Sequence, residues 1–120
     1  MTDYRFIFAM SNKKGRTTKK QIMVIKEILQ QLETAKHSVA KAIHKGDHFK
    51  ALVIGFKAGM KLKDHEASLP SKLTVITGEV IYKENTKEVT PEMYDETDIP
   101  VNTKHSVEAI KDSLCLLTQG

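Results

Sequence analysis

Five histidines are the residues of this chain best suited to chemistry near neutral pH: His37, His44, His48, His65 and His105. Imidazole titrates close to neutrality, so it serves as general acid, general base or metal ligand without strong tuning. His44 and His48 have the spacing of a helical metal pair, but Gly46 between them argues against a helix there. His65 lies in Gly59-Met-Lys-Leu-Lys-Asp-His65, and His105 ends Tyr94-Asp-Glu-Thr-Asp-Ile-Pro100-Val-Asn-Thr-Lys-His105. Tyr82 and Tyr94 are candidate pocket residues beside them, with packing and a solvent-facing hydroxyl as the competing reading. Met60 and Met93, near strand ends, either shape an apolar pocket or fill gaps in the core. The single cysteine, Cys115, sits in Leu114-Cys-Leu-Leu117 and reads as a small buried apolar residue, with no basic cluster to activate its thiol. Phosphate-binding glycine loops, a Ser-His-Asp order and a dinucleotide fingerprint are absent from the sequence.

The elements that must position these side chains change character along the chain. Residues 1–16 open with the apolar patch Tyr4-Arg-Phe-Ile-Phe8 and read as an edge strand or an arm. Thr18 to Gln21 has capping-box spacing, in which hydroxyl and amide side chains satisfy free N–H groups at a helix start. Ile22, Ile25, Ile28, Leu29 and Leu32 then form one apolar stripe, which predicts an amphipathic helix over 17–36 followed by His37 near its C-terminal end. Such a stripe must cover something, either the body of the domain or a partner. From residue 40 onward the pattern is that of strands. His48 to Phe56, Leu73 to Ile76, Val80 to Tyr82, Lys87 to Val89, Tyr94 to Ile99, His105 to Ile110 and Ser113 to Leu117 are short β-branched or apolar runs. Lys83 to Thr86 has turn composition, Gly78-Glu79 reads as a turn or bulge, and Lys111-Asp112 as a tight connection. Many short, evenly spaced strands predict a sandwich or barrel.

Size and charge bound the remaining possibilities. The 120 residues suffice for one domain with a single core, and one cysteine excludes an intrachain disulfide. A reducing cytoplasm is the expected compartment: Phe6 to Met10 is too short for a signal peptide, and no segment approaches a membrane span. The net charge of +4 conceals an asymmetry. Residues 1–50 carry eleven Lys and Arg against four Asp and Glu, while residues 51–120 carry eight against eleven. No aromatics are interleaved with the lysines, so the basic half is expected to pack on its own acidic barrel or a neighbour's rather than on nucleic acid.

The stretch from Gly59 to His105 resembles the cupin motifs, over about residues 50–115. Gly59, His65, Gly78 and Glu79 match the first motif, and Asp95, Pro100 and His105 match the second. Ala67 stands where the second histidine belongs, Ser71 or Lys72 where the glutamate belongs, and Tyr94 and Asn102 where the second motif has glycines. Asparagine tolerates the left-handed backbone that such a glycine adopts. The resemblance implies an all-β-dominated fold, a double-stranded β-helix (jelly-roll) barrel of the RmlC-like cupin superfamily over residues 40–120, preceded by an arm and one amphipathic helix over 1–39. It also implies a barrel interior around His65 and His105, and a homodimer. In that family the ligands hold zinc, iron, manganese or nickel, and here only His65 and His105 remain, with His48 as a conceivable third nitrogen. Strand alternation places Lys63 on the face of His65, and Asp64 and Glu66 on the other. Three functions follow as expectations. They are a small-molecule binding module, a metal-dependent dioxygenase or isomerase with an unidentified third ligand, and a regulatory protein acting through its basic helix.

Overall fold

The computed structural model describes residues 23–120. The arm over 1–16 and the capping box at Thr18 to Gln21 lie outside the described residues. The described helix is α1 (Val24–Leu32), followed by nine strands: β1 (Val39–Lys45), β2 (Lys50–Phe56), β3 (Lys61–His65), β4 (Ser71–Thr77), β5 (Val80–Glu84), β6 (Lys87–Val89), β7 (Glu96–Ile99), β8 (His105–Ala109) and β9 (Ser113–Gln119). They form two sheets, one of five strands in the order β1-β2-β9-β4-β7 and one of four in the order β3-β8-β5-β6. Every strand pairing is antiparallel. No helix among the described residues is long and apolar enough to cross a membrane.

The alternation in each strand explains the layering. Leu73, Val75, Ile54, Phe56, Cys115 and Leu117 of the larger sheet meet Val80, Tyr82, Val107 and Ala109 of the smaller one, and Ile99 of β7 joins them. On β2 the apolar run is continuous, because its second face is also covered. Val53 packs beneath Ile28 and Leu32 of α1, with Leu114 and Leu116 of β9 alongside. A Cβ placed on Gly55 would stand 2.5 Å from Ile28 Cγ2 and 2.8 Å from Leu32 Cδ1, so the bare backbone of β2 is what lets the helix seat. Ile25, Ile28 and Leu32 of the apolar stripe are thus packed within the chain, and Ile22 lies outside the described residues. Leu29 is the exception, half exposed at the edge of the stripe.

The helix ends at Leu32, four residues before the end of the range predicted for it, and β1 lies before His48, where the sequence places the first individual strand. β1 is an edge strand with four of its seven residues exposed, so it lacks the apolar alternation that marks a buried strand. Gly78 lies at φ 95 in the turn before β5, and any side chain there would meet Ser113 and the Asp112 carbonyl. Both residues that replace motif glycines adopt positive φ as well, Tyr94 at 73 and Asn102 at 53.

Candidate functional site

β3, β8 and β5 lie side by side in the smaller sheet, and their registers set His65 opposite His105 and His105 opposite Glu84. One row across three strands therefore carries two imidazoles and a carboxylate on one face. Val107, two residues along β8 on that face, is in the core, and Tyr82 has the same relation to Glu84 on β5. The row is the edge of the barrel interior.

A β-bulge brings His65 into the row. Leu62 pairs with Val107 and His65 with His105, so three steps along β3 match two along β8. Strict alternation would put Leu62 and His65 on opposite faces, and the irregularity puts both on the interior side. The face assignment drawn from alternation for Lys63 therefore does not carry over, and the side chain of Asp64 lies outside what is described. Lys63 and Glu66 are exposed.

The two histidine rings lie with centroids 4.4 Å apart, tilted by 58°. His105 is buried and His65 is exposed, so the pair runs from the interior to the rim. Each Nδ1 faces a backbone carbonyl, His65 at 2.8 Å from Lys63 O and His105 at 3.2 Å from Thr103 O. A carbonyl oxygen only accepts, so Nδ1 carries the proton in both rings and Nε2 is the lone-pair nitrogen of the neutral form. Beneath them the Tyr82 ring is fully buried, 5.8 Å from the His105 ring. Its hydroxyl donates to Glu84 Oε1 at 2.6 Å. Burial first, then the hydrogen bond to the Glu84 carboxylate and its charge, push the phenol well above its ordinary value, so Tyr82 stays a neutral donor.

Of the residues singled out in the sequence, His65, His105 and Tyr82 come together, and two do not. Tyr94 is 77% exposed in the turn before β7, so it lines no interior. Its left-handed backbone replaces a glycine and turns the side chain to solvent. His48 lies in the turn between β1 and β2, where it lines a groove of about 250 Å³ with Lys45, Phe49 and Leu69. It does not join the other two histidines: no three His, Cys, Asp or Glu side chains gather for a metal among the described residues. Met60 is partly buried against the core and Met93 is exposed. Glu84 is the residue that sequence reasoning missed. Its signal is its position two residues after Tyr82 on a strand longer than expected.

The donor set also decides how well these residues fit a resident metal. Histidine ligates metals through one ring nitrogen while the other gives its proton to a carbonyl or carboxylate, the role that Nδ1 plays in both rings here. A catalytic site needs about three protein ligands, and here the set stops at two. Ala67 is buried with no donor in its side chain, and its carbonyl accepts from Asn102 N at 2.8 Å. Ser71 Oγ donates to Leu69 O and accepts from Gln119 Nε2. The described residues do not fit a resident metal of the kind that the cupin resemblance implies.

Two packed antiparallel sheets in these strand orders, with His65 and His105 meeting inside one end, define a cupin barrel. No family model matches the sequence, and no curated protein matches it. Solved structures do. A cupin superfamily protein from Desulfitobacterium hafniense superposes with a TM-score of 0.66 at 13% identity, covering 85% of this chain and 92% of that one. An RmlC-like cupin from Desulfovibrio desulfuricans gives 0.64 at 22% identity, covering 85% and 95%. The DMSP lyase DddQ from Ruegeria pomeroyi gives 0.65 at 13% identity, covering 73% of this chain and 49% of that one. The chain has the fold of a small RmlC-like cupin. Its structural neighbours include proteins described by fold alone and at least one enzyme.

Proposed function

We propose that this protein is a small-molecule binding module whose ligand sits at one end of the cupin barrel, against His65 and His105. The observation that carries the reading is the registered histidine pair, with rings 4.4 Å apart, one buried and one at the rim. Buried polar groups are costly to maintain unless they are partnered, and this row crosses three strands at the margin of an otherwise apolar interior. The incomplete ligand set favours binding over a metal-dependent reaction.

Two measurements on protein purified without chelator or affinity tag test this. Elemental analysis is expected to find far less than one transition metal per chain. A thermal-shift screen of small amines, polyols and organic acids is expected to yield compounds that raise Tm in the parent protein and not in His65→Ala or His105→Ala. About one metal per chain, lost in both variants, would overturn the reading in favour of a metalloprotein.

A further inference from the structure

The larger sheet carries a polar row of its own at the margin of the core. Its registers set Lys45 opposite Lys50, Lys50 opposite Gln119 and Gln119 opposite Ser71. On β2, β9 and β4 the row lies two residues from Leu52, Leu117 and Leu73, all of which pack in or against the core. Strand alternation therefore puts the row on the same inner face. Gln119 Nε2 donates to Ser71 Oγ at 3.2 Å, which closes the row on one side. The other side is open: Lys45 and Lys50 are exposed, and neither makes an ion pair among the described residues.

Like charges directly opposite on paired strands are destabilising, because their Cβ atoms stand only about 4.5–5.5 Å apart. Two ammonium groups at that spacing can straddle one anion, which replaces the repulsion by charge-assisted hydrogen bonds. The two lysines flank the turn over 46–49 and line a groove of about 250 Å³ with Phe49, Leu69 and Gln119. Phe49 is 44% exposed and Leu69 45%, so the groove sets apolar surface beside the two cations. Asp47, exposed in the turn, is the one carboxylate among the lining residues and leaves the lysines in the majority.

We infer that this groove is a second ligand site, which takes a small organic anion with an apolar body, as an aryl or alkyl carboxylate has. Lys45 and Lys50 hold the carboxylate, and Phe49 and Leu69 cover the apolar part. The groove is built on the larger sheet, the site proposed above on the smaller one, and neither His65 nor His105 lines it. A bare anion would leave Phe49 and Leu69 in water, and an amine would meet two like charges.

The test is backbone amide NMR on the full chain at low ionic strength, with phenylacetate, inorganic phosphate and benzylamine as probes. Phenylacetate is expected to move the amides of Gly46, Phe49, Lys50 and Leu69, and to bind more weakly as salt is raised. Lys45→Gln and Lys50→Gln are each expected to weaken it about threefold, the scale of one exposed ion pair. Each also removes a repulsion, so Tm without probe is expected to be unchanged or higher. A lower Tm with binding unchanged would assign the lysines to the hairpin and overturn the inference. Phe49→Ala is expected to weaken phenylacetate and to leave phosphate unaffected. Phosphate bound as tightly as phenylacetate would overturn the apolar body, and equal shifts with benzylamine would overturn the anion. His65→Ala is expected to leave the phenylacetate shifts in place; their loss there would merge the groove with the histidine end and overturn a second site. No shift at these amides with phenylacetate would overturn the groove altogether.

Discussion

The centre of the barrel and its histidine end are built from the same strands and obey opposite rules. At the centre, Phe56, Leu73, Val75, Val80, Val107, Ala109 and Cys115 are all at or below 2% exposure and carry no ionisable group except a thiol. On the same face Glu84 lies four residues beyond Val80 on β5 and His105 two residues from Val107 on β8, and across from His105 stands His65 at the rim. Tyr82 marks the boundary, its ring wholly within the apolar cluster and its hydroxyl on Glu84. The difference separates the residues that hold the fold from those of the proposed site, so substitutions in the two regions should have unlike consequences.

The largest contrast is between Phe56→Ala and His65→Ala. Phe56 is 1% exposed in the middle of the core, and its truncation is expected to cost about 3–5 kcal/mol in urea unfolding. His65 is exposed, and its removal is expected to stay within about 0.5 kcal/mol. A destabilised His65→Ala protein would mean that the polar end is part of the scaffold and would erase the comparison.

How much of this contrast is written in the sequence can be judged from particular residues. The centre was legible, because the β-branched run Leu73 to Ile76 and the apolar run Ser113 to Leu117 announce strands by composition. Cys115 was read as buried for the same reason, and it is fully buried. Asn102 was expected to tolerate a left-handed backbone and has φ 53. The histidine end was legible only through motif spacing. A bulge between Leu62 and His65 breaks the alternation from which a face would be inferred, and bulges leave no mark on composition. Glu84 was hidden because Lys83 to Thr86 looks like a turn, whereas the turn proper is only Asn85 and Thr86, with Asn85 at φ 44. β1 was hidden because an edge strand needs no apolar alternation.

Alkaline pH should sharpen the comparison from the core side. Burial pushes the Cys115 thiol up to about 12, against about 8.5 in an unfolded chain. The folded state therefore holds this proton where the unfolded state has released it. That stability is present in full below about pH 8.5 and is lost as pH rises toward 12, by about 1.4 kcal/mol per pH unit within the window. Tyr82, also pushed upward by burial, adds the same sign at higher pH. Urea unfolding of Cys115→Ala across this range is expected to show a shallower alkaline decline than the parent protein. Equal slopes would mean that the thiol reaches solvent in the native state.

A smaller effect probes the boundary itself. Tyr82→Phe keeps the buried ring and deletes the proton given to Glu84. The loss of a hydrogen bond to a charged group is expected to cost about 1.5 kcal/mol, softened because Glu84 is half-buried and water can replace the phenol. Denaturant unfolding measures the cost, and imidazole NMR asks whether His105 keeps its tautomer. An unchanged stability would place the limit of the ordered polar row at His105 rather than at Tyr82.

The smallest effect has the opposite sign and lies away from both regions. Tyr94 adopts φ 73, where a side chain with a Cβ is strained by about 1 kcal/mol or more, and its ring is 77% exposed, so little packing offsets the strain. Tyr94→Gly relieves the strain and gives back part of the gain through the greater freedom of glycine in the unfolded chain. The expected result is a protein of equal stability or one more stable by up to about 1 kcal/mol in urea, with the histidine resonances unmoved. A clear loss of stability would show that the exposed ring has a contact that the monomer does not supply. In that case Tyr94 would belong to a surface rather than to either region of the barrel.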